Sequence, residues 1–283
     1  MKKEVALIGF GYWGKILYKN LKSMGYKVVI CENSVIDYNE VLTEDRDSIE
    51  IDYKNIDNDI IFITTPTKTH YEICKYFIKK DKKIFCEKPL TENQEKTKEL
   101  YELSKNHKGN LYVDWIFIKN EGVNIIKKII NSGELGVLKS INMRRLNKGP
   151  IRYDVDAKLD LSVHDISIIT HILGYNVENF TSIDFKRNIK SKRNDSNITT
   201  FLNNGVTCFI ETSWEYPIKD RLCIFEFDSG VVLWDDTKQV VSKNGSDIKY
   251  NKSPLITSIT DFIDGDKNEK MTIFINELYG NTI

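Results

Sequence analysis

An α/β half followed by an α+β half is the architecture this sequence predicts, and three observations predict it. Over the first hundred or so residues, short apolar runs alternate with amphipathic ones. Near Ile118 that alternation stops. From Val177 to Ser242 strand-like runs then succeed one another, separated by turns at Asn203-Asn204-Gly205 and Asp228-Ser229-Gly230. Alternating β-α-β units call for a parallel sheet covered on both faces, whereas strands in direct succession build a mostly antiparallel open sheet. The expected division is residues 1–118 and 119–283, with no repeat and no Pro/Gly-rich linker between them.

Taken in order, Val5-Ala6-Leu7-Ile8 is the continuous apolar run that a parallel strand buried on both faces requires. Ile16, Leu17, Leu21 and Met24 recur at helical spacing over 14–24, and Gly25 stands just past them as a stop. Strands follow at 27–31 and 60–63, the second closed by Thr64-Thr65-Pro66. A helix over 69–80 leads to a strand at 83–86, and a helix over 92–106 to a strand at 110–115. The polar, acidic stretch from Asn33 to Asn58 has no clear period, so no element is placed there. Past the boundary, a helix over 122–131 ends at Ser132-Gly133, 137–145 reads as a strand, and the amphipathic run 159–173 is a helix closed by Gly174.

Lys+Arg and Asp+Glu both number 41, a formal net charge of zero. That balance argues against nucleic acid as a partner, because a polyphosphate backbone selects a basic excess. It also does little to keep copies apart. Met1-Lys2-Lys3-Glu4 runs straight into an apolar strand, so neither a signal peptide nor a membrane span is expected. The five cysteines (Cys31, Cys74, Cys86, Cys208 and Cys223) are odd in number and widely spaced, with no Cys-x-x-Cys pair. They read as buried, reduced thiols of a cytoplasmic protein. The four histidines form no cluster with acids or cysteines at ligand spacing, so no metal is expected.

Gly9-Phe10-Gly11-Tyr12-Trp13-Gly14 directly follows a buried strand and opens a helix. In that context Gly-x-Gly-x-x-Gly binds the pyrophosphate of a dinucleotide. Gly9 permits the tight turn, Gly11 lets backbone approach the ligand, and Gly14 allows close helix–strand packing. Tyr12 and Trp13 begin the helix whose N–H groups and dipole favour an anion. Glu32, 18 residues past Gly14 at the end of the second strand, stands where an acid accepts hydrogen bonds from the adenosine ribose. No arginine follows it, so NAD is favoured, while Ser34 leaves NADP open. The first domain is thus expected to be a Rossmann dinucleotide-binding domain. Thr64, Thr65, Pro66, Glu87 and Lys88 close two further strands, where an open parallel sheet places its ligand. They point at the nicotinamide end of the cofactor, and His70 reads as fixing its loop.

Several segments carry a wider resemblance. Beside the glycine loop stand Thr65-Pro66-Thr67-Lys68-Thr69-His70, Glu87-Lys88-Pro89 and Ser132-Gly133-Glu134-Leu135-Gly136, then Asp160-Leu161-Ser162-Val163-His164-Asp165 and His171-Ile172-Leu173-Gly174. Together they resemble the Gfo/Idh/MocA family of oxidoreductases over nearly the whole chain. The resemblance implies NAD(P)-dependent hydride transfer with a sugar, and assigns catalysis to Lys88, Asp160 and His164. The chemistry agrees, because oxidising a hydroxyl needs a base for its proton while the hydride goes to nicotinamide. Asp160 and His164 are four residues apart, hence on one helix face. His164 suits the base and Lys88 a group that polarises the oxygen, but the residues leave open which of the two takes the proton. Asp165 and His171 read as structural, with Asp165 also placed to orient the site.

The runs from Leu146 to Asp156 and from Ser213 to Arg221, with Trp234-Asp235-Asp236, resemble one branch more narrowly. That branch comprises nucleotide-sugar 3-dehydrogenases acting on UDP-N-acetylglucosamine or its uronic acid in surface-polysaccharide biosynthesis. Asn147, Arg152, Lys219 and Arg221 suit a diphosphate or carboxylate. Asn147 and Arg152, with Lys88, Asp160 and His164, form the expected substrate set. Asp114 departs from the family, which has a small or basic residue there, and Lys119-Asn120-Glu121 matches its helix start only loosely. The resemblance also implies a homodimer or homotetramer formed through the C-terminal sheet. Two other functions stay open: a redox-neutral glycoside hydrolase that returns the hydride, and a non-catalytic dinucleotide-sensing regulator. The intact Lys88, Asp160 and His164 argue against the regulator.

Overall fold

The computed structural model describes residues 4–34, 37–41, 48–152 and 155–280. They divide into two compact units. Residues up to Asp114 together with Leu255–Asn276 form the first, and Trp115–Pro254 with the residues from Glu277 form the second. The expectation of one break near Ile118 does not include this return of 255–276 to the first unit.

Among the described residues the first unit has six strands: β1 (Glu4–Ile8), β2 (Lys27–Cys31), β3 (Ile49–Glu50), β4 (Ile60–Ile63), β5 (Lys83–Cys86) and β6 (Leu111–Val113). They lie in the order β3-β2-β1-β4-β5-β6, every pair parallel. This is the doubly wound Rossmann order, with its switch point between β1 and β4. Val5, Ala6, Leu7, Ile61, Phe62, Ile63, Ile84 and Phe85 have no exposed surface, which is why these strands read as unbroken apolar runs. The connecting helices are α1 (Tyr12–Ser23), α2 (Thr67–Ile78) and α3 (Gln94–Lys105). Asn93 caps α3, its side chain accepting from the N–H groups of Glu95 and Lys96. In the stretch where the sequence shows no period, short 3-10 turns occupy Tyr38–Glu40 and Tyr53–Asn55. Residues 35, 36 and 42–47 of that stretch lie outside the described residues.

The second unit contains α4 (Glu121–Ser132), β7 (Leu138–Lys148), α5 (Val163–Leu173), β8 (Val177–Phe185), β9 (Ser196–Asn203), β10 (Val206–Ser213) and β11 (Glu215–Asp220). It continues with β12 (Leu222–Phe227), β13 (Gly230–Asp235), β14 (Val240–Lys243) and β15 (Ser246–Lys249). These strands form a sheet in the order β15-β14-β13-β12-β7-β10-β9-β8, with β11 also pairing β7. Only the β7–β10 pair is parallel; the others are antiparallel, as hairpin connections require. The strand at β10 shows the alternating burial of a sheet with one covered face.

Two further helices, α6 (Pro254–Ile263) and α7 (Glu269–Gly280), follow the last strand. The sequence reading assigns no element beyond Ser242, although Leu255, Ile259 and Phe262 recur at helical spacing behind a proline start. Phe262, fully buried, packs its ring 5.7 Å from Phe62, 5.5 Å from Phe85 and 5.8 Å from Tyr112. The Asn268 side chain accepts from the Val113 N–H and donates to the Val113 carbonyl, covering the free edge of β6. Truncating Phe262 to Ala is expected to cost about 3–5 kcal/mol of stability, the penalty for an aromatic cavity in a packed core. Urea unfolding of the purified variant measures it, and a loss under about 1 kcal/mol would contradict this packing.

Candidate functional site

In the first unit the predicted cofactor residues gather at the C-terminal ends of β1, β2, β4 and β5. Gly9 has φ +95°, open only to glycine without strain. A Cβ on Gly14 would stand 2.3 Å from the Gly9 carbonyl oxygen and 2.9 Å from Thr64 Oγ1, so α1 can lie this close to β1 only without a side chain there. Gly11, in contrast, has nothing within 4 Å of where its Cβ would be. It caps α1 with no side-chain hydrogen bond, and no acid stands in the first turn. Free N–H groups, positive dipole and open space over Gly11 fit a dinucleotide pyrophosphate. Tyr12 is exposed at the head of the same helix, with Trp13 partly covered beside it.

Glu32 sits at the end of β2 with its carboxylate already engaged. Oε2 accepts from the Phe10 N–H at 2.7 Å, and Oε1 from the Ser34 N–H and hydroxyl at 3.0 Å. Burial alone would raise its pKa, but these donors outweigh it and hold the carboxyl below its ordinary range. The acid is therefore anionic, with acceptor capacity left for ribose hydroxyls and a charge that repels a 2′-phosphate. The sequence reading missed its second task, tying the glycine loop to β2 through Phe10.

Thr64 Oγ1 donates to the Gly9 carbonyl at 2.8 Å, joining the β4 end to the glycine loop. Thr65 and Pro66 lead into α2. The buried His70 ring stands between two carbonyls, with Nε2 2.7 Å from Thr65 O and Nδ1 3.0 Å from Pro89 O. It links the Thr-Pro loop to the Glu87-Lys88-Pro89 loop, whose Lys88–Pro89 peptide is cis. Burial, then the negative charge of Asp114 at the end of β6, push the Glu87 carboxyl well above its ordinary range, against the pull of Lys88 and Trp13. Asp114, the departure noted in the sequence, is buried and accepts from Ser258 of α6 at 2.7 Å.

The second unit holds Asp160 and His164. The expected helix over 159–173 begins as a π turn, Lys158–Ser162, and becomes α-helical only at Val163. Four residues of α-helix overshoot one turn by about 40°. The wider π turn, a form frequent at functional sites, takes up that overshoot between Asp160 and His164. Asp160 is held at both oxygens: Trp214 Nε1 donates to Oδ2 at 3.0 Å, and Arg152 Nη1 lies 3.4 Å from Oδ1. His164, 8% exposed, meets the Phe117 ring edge to face with centroids 4.7 Å apart. Beneath it, Arg145 Nε and Nη2 donate to Asp165 Oδ1 at 3.0 and 2.6 Å, both residues almost fully buried. Burial works against the Arg145 charge, but Asp165 outweighs it and holds the guanidinium above its ordinary pKa.

The remaining sequence-predicted anion contacts are divided. Asn147 donates its amide to the Gly149 carbonyl and so braces the turn that follows β7. Arg152 faces Asp160. Arg221 is turned inward onto Asp236 at 3.3 Å, and that aspartate also accepts from Asn120, the cap of α4. Lys219 stays exposed on β11. Tyr153 and Asp154 lie outside the described residues. Lys88 belongs to the first unit, Asp160 and His164 to the second. Trp214 and Phe117 were not singled out as site residues. Trp214 carried a signal, an aromatic inside the run that resembles the nucleotide-sugar branch, whereas Phe117 carried none. Among the described residues, no cluster of three or more His, Cys, Asp or Glu side chains could hold a metal, and no helix is long and apolar enough to cross a membrane.

The model of the Gfo/Idh/MocA oxidoreductase family, NAD-binding Rossmann fold, matches residues 3–115. Myo-inositol 2-dehydrogenase of Thermotoga maritima is 24% identical over 187 residues, which span 62% of this chain and 56% of that enzyme. The chain thus matches little more than half the length of such curated relatives. Among solved structures, UDP-N-acetylglucosamine 3-dehydrogenase GnnA from Acidithiobacillus ferrooxidans superposes with a TM-score of 0.85 at 15% identity, covering 99% of this chain and 96% of that one. A levoglucosan dehydrogenase in complex with NADH and levoglucosan superposes with a TM-score of 0.83 at 16% identity, covering 100% and 97%. At these identities the superpositions establish a shared fold.

Two outcomes follow from the geometry. Gly14→Ala is expected to cost roughly 1–3 kcal/mol or more through forced separation of α1 from β1. Gly11→Ala should leave stability within about 0.5 kcal/mol but weaken NAD binding tenfold or more. Melting curves and calorimetric titration with NAD distinguish the two; equal loss of stability in both variants would refute the assignment. The second concerns His171, near the end of α5. Burial, then the charges of Lys127 and Lys119, push its imidazole down to about 4, against 6.5 when unfolded. The unfolded state therefore binds more protons between those values, so stability is full above pH 6.5 and declines as pH falls toward 4. His171→Gln should flatten that part of a Tm-against-pH curve, and an unchanged slope would count against it.

Proposed function

From a chain whose residues 3–115 are the NAD-binding domain of the Gfo/Idh/MocA oxidoreductase family, we propose an enzyme that oxidises a secondary hydroxyl of a sugar, or reduces the matching ketone. The observation that carries this reading is the Asp160–His164 pair, fixed by Trp214, Arg152 and Phe117 at the head of a buried helix. A cofactor domain alone has no use for such a pair. Bound nicotinamide supplies the hydride acceptor or donor. His164 takes the hydroxyl proton in oxidation and returns it in reduction. Asp160, its two oxygens held, orients the hydroxyl and offsets the charge His164 gains. Lys88 polarises the substrate oxygen. The anionic Glu32 makes NAD the preferred cofactor.

The finer reading is a nucleotide sugar, used in surface-polysaccharide synthesis in the cytoplasm. The superposition on GnnA, a UDP-N-acetylglucosamine 3-dehydrogenase, supports the nucleotide sugar, as does Arg152, a planar cation beside Asp160 able to meet a carboxylate or diphosphate. Exposed Ile183, Val231 and Leu233, which the strand register puts on one face of the second sheet, support a homodimer or homotetramer through that face.

The test follows reduced-cofactor absorbance while UDP-sugars, free sugars and inositols are offered with NAD or NADP. Turnover is expected with NAD. His164→Asn should lower kcat by about 10²–10⁴ while NAD affinity stays within a few fold, and Lys88→Ala should lower kcat by a similar factor. Tight NAD binding without turnover of any sugar or polyol would sink the dehydrogenase reading.

A further inference from the structure

The ring of Phe117, in the 3-10 turn Ile116–Lys119, is engaged by two groups of different kind. The His164 imidazole meets it edge to face at 4.7 Å and 68°. The Arg145 guanidinium lies over it with Cζ 4.1 Å from the centroid, and Arg221 approaches it at 5.9 Å. Arg145 cannot swing away, because Nε and Nη2 both grip Asp165, the residue that directly follows His164. Arg145 therefore reaches His164 by two routes, through space by way of Phe117 and along the chain by way of Asp165. A guanidinium over an aromatic face is held by the ring quadrupole, and an edge-to-face imidazole has its ring rotation restricted.

We propose that Phe117 and Arg145 are positioning residues that fix the orientation of the His164 ring. The proposal rests on His164 acting as the base, but its geometric content stands apart from turnover. A spacer that merely filled volume would be replaced by any apolar side chain of similar size. A ring that meets both a fixed cation and the base through its π face and edge would be replaced only by another ring. The charged groups on the elements around α5 include Lys158 and Asp160 on the π turn, paired with Asp184 and Arg152, then Asp165 and His171 on α5, Lys119 beside Phe117, and Glu121, Lys127 and Lys128 on α4. Arg144 and Arg145 on β7 and the Arg221–Asp236 pair are among them as well.

The experiment uses the full chain with Phe117→Leu, Phe117→Tyr and Arg145→Lys. The first readout is histidine NMR in the absence of substrate; only four histidines are present, and His164→Asn assigns the relevant signal. Phe117→Leu is expected to change the His164 ring shifts and to move its titration midpoint by about half a unit or more, and Phe117→Tyr to restore both. The second readout is the pH profile of kcat on a substrate the wild type turns over. Phe117→Leu should lower kcat about tenfold or more with NAD affinity and KM nearly unchanged, and shift the same pH limb. A folded Phe117→Leu protein with wild-type His164 shifts and midpoint overturns the proposal. Should that variant not fold, Arg145→Lys decides by the same NMR criterion, because the lysine keeps the charge but not the planar stack. A wild type that binds NAD yet oxidises no sugar overturns the functional reading, while the NMR result still decides the positioning.

Discussion

At Gly14 the first turn of α1 runs so close to the Gly9 carbonyl that a Cβ would have to sit 2.3 Å from it. That approach aims the free N–H groups of the helix at the space over Gly11. It also lets Thr64, at the end of the neighbouring strand, bond the Gly9 carbonyl, and it holds Phe10 where Glu32 can accept from its N–H. Three strand ends are thereby locked together around one turn. The turn proposed to bind NAD is thus made of backbone groups whose positions depend on a contact that tolerates no methyl group.

The second unit meets a different constraint. Its site residues start a helix buried on nearly every side, so each polar group there must have a partner or carry a desolvation penalty. Arg145 and Asp165 answer part of that requirement for each other, although Arg145 Nη1 and Asp165 Oδ2 find no hydrogen-bond partner among the described residues; Trp214 and Arg152 answer it for Asp160. A buried ion pair of this kind adds little net stability compared with apolar packing. Its contribution is definition: two donors on one carboxylate oxygen tie the first turn of α5 to β7. The geometry of the candidate site and the definition of the fold rest here on the same few contacts.

Much of this could be read from residue order. Continuous apolar runs marked β1, β2, β4 and β5 because a parallel strand buried on both faces can carry little else. The glycine spacing marked the dinucleotide loop because each glycine answers a distinct steric demand. Asp160 and His164 stood out because the family resemblance implies a catalytic pair there, and their four-residue spacing agreed with one helix face. What escaped depended on pairs distant in sequence. Phe117 gave no sign of meeting His164, Trp214 lies 54 residues from Asp160, and α6 shares an aromatic cluster with strands almost two hundred residues earlier. Arg221 looked like an anion ligand because a guanidinium advertises its chemistry but not its direction.

The sequence by itself determined the local facts: strand and helix types, the glycine turn, the acid at the end of β2, and the acid–histidine spacing. These follow from sterics and periodicity within a few residues, which no distant contact can alter. Tertiary structure alone decided which strand ends share a ligand face, that Glu32 also ties the glycine loop, that 255–276 complete the first unit, and that His164 faces an aromatic ring backed by a buried cation. Those outcomes depend on which side chains the packed chain brings together. Burial then makes each such pairing obligatory, because a polar group without water must find its partner inside the protein. For the glycine turn the two levels coincide, because the same absence of a Cβ that is written in the sequence is the condition for the closest contact in the fold.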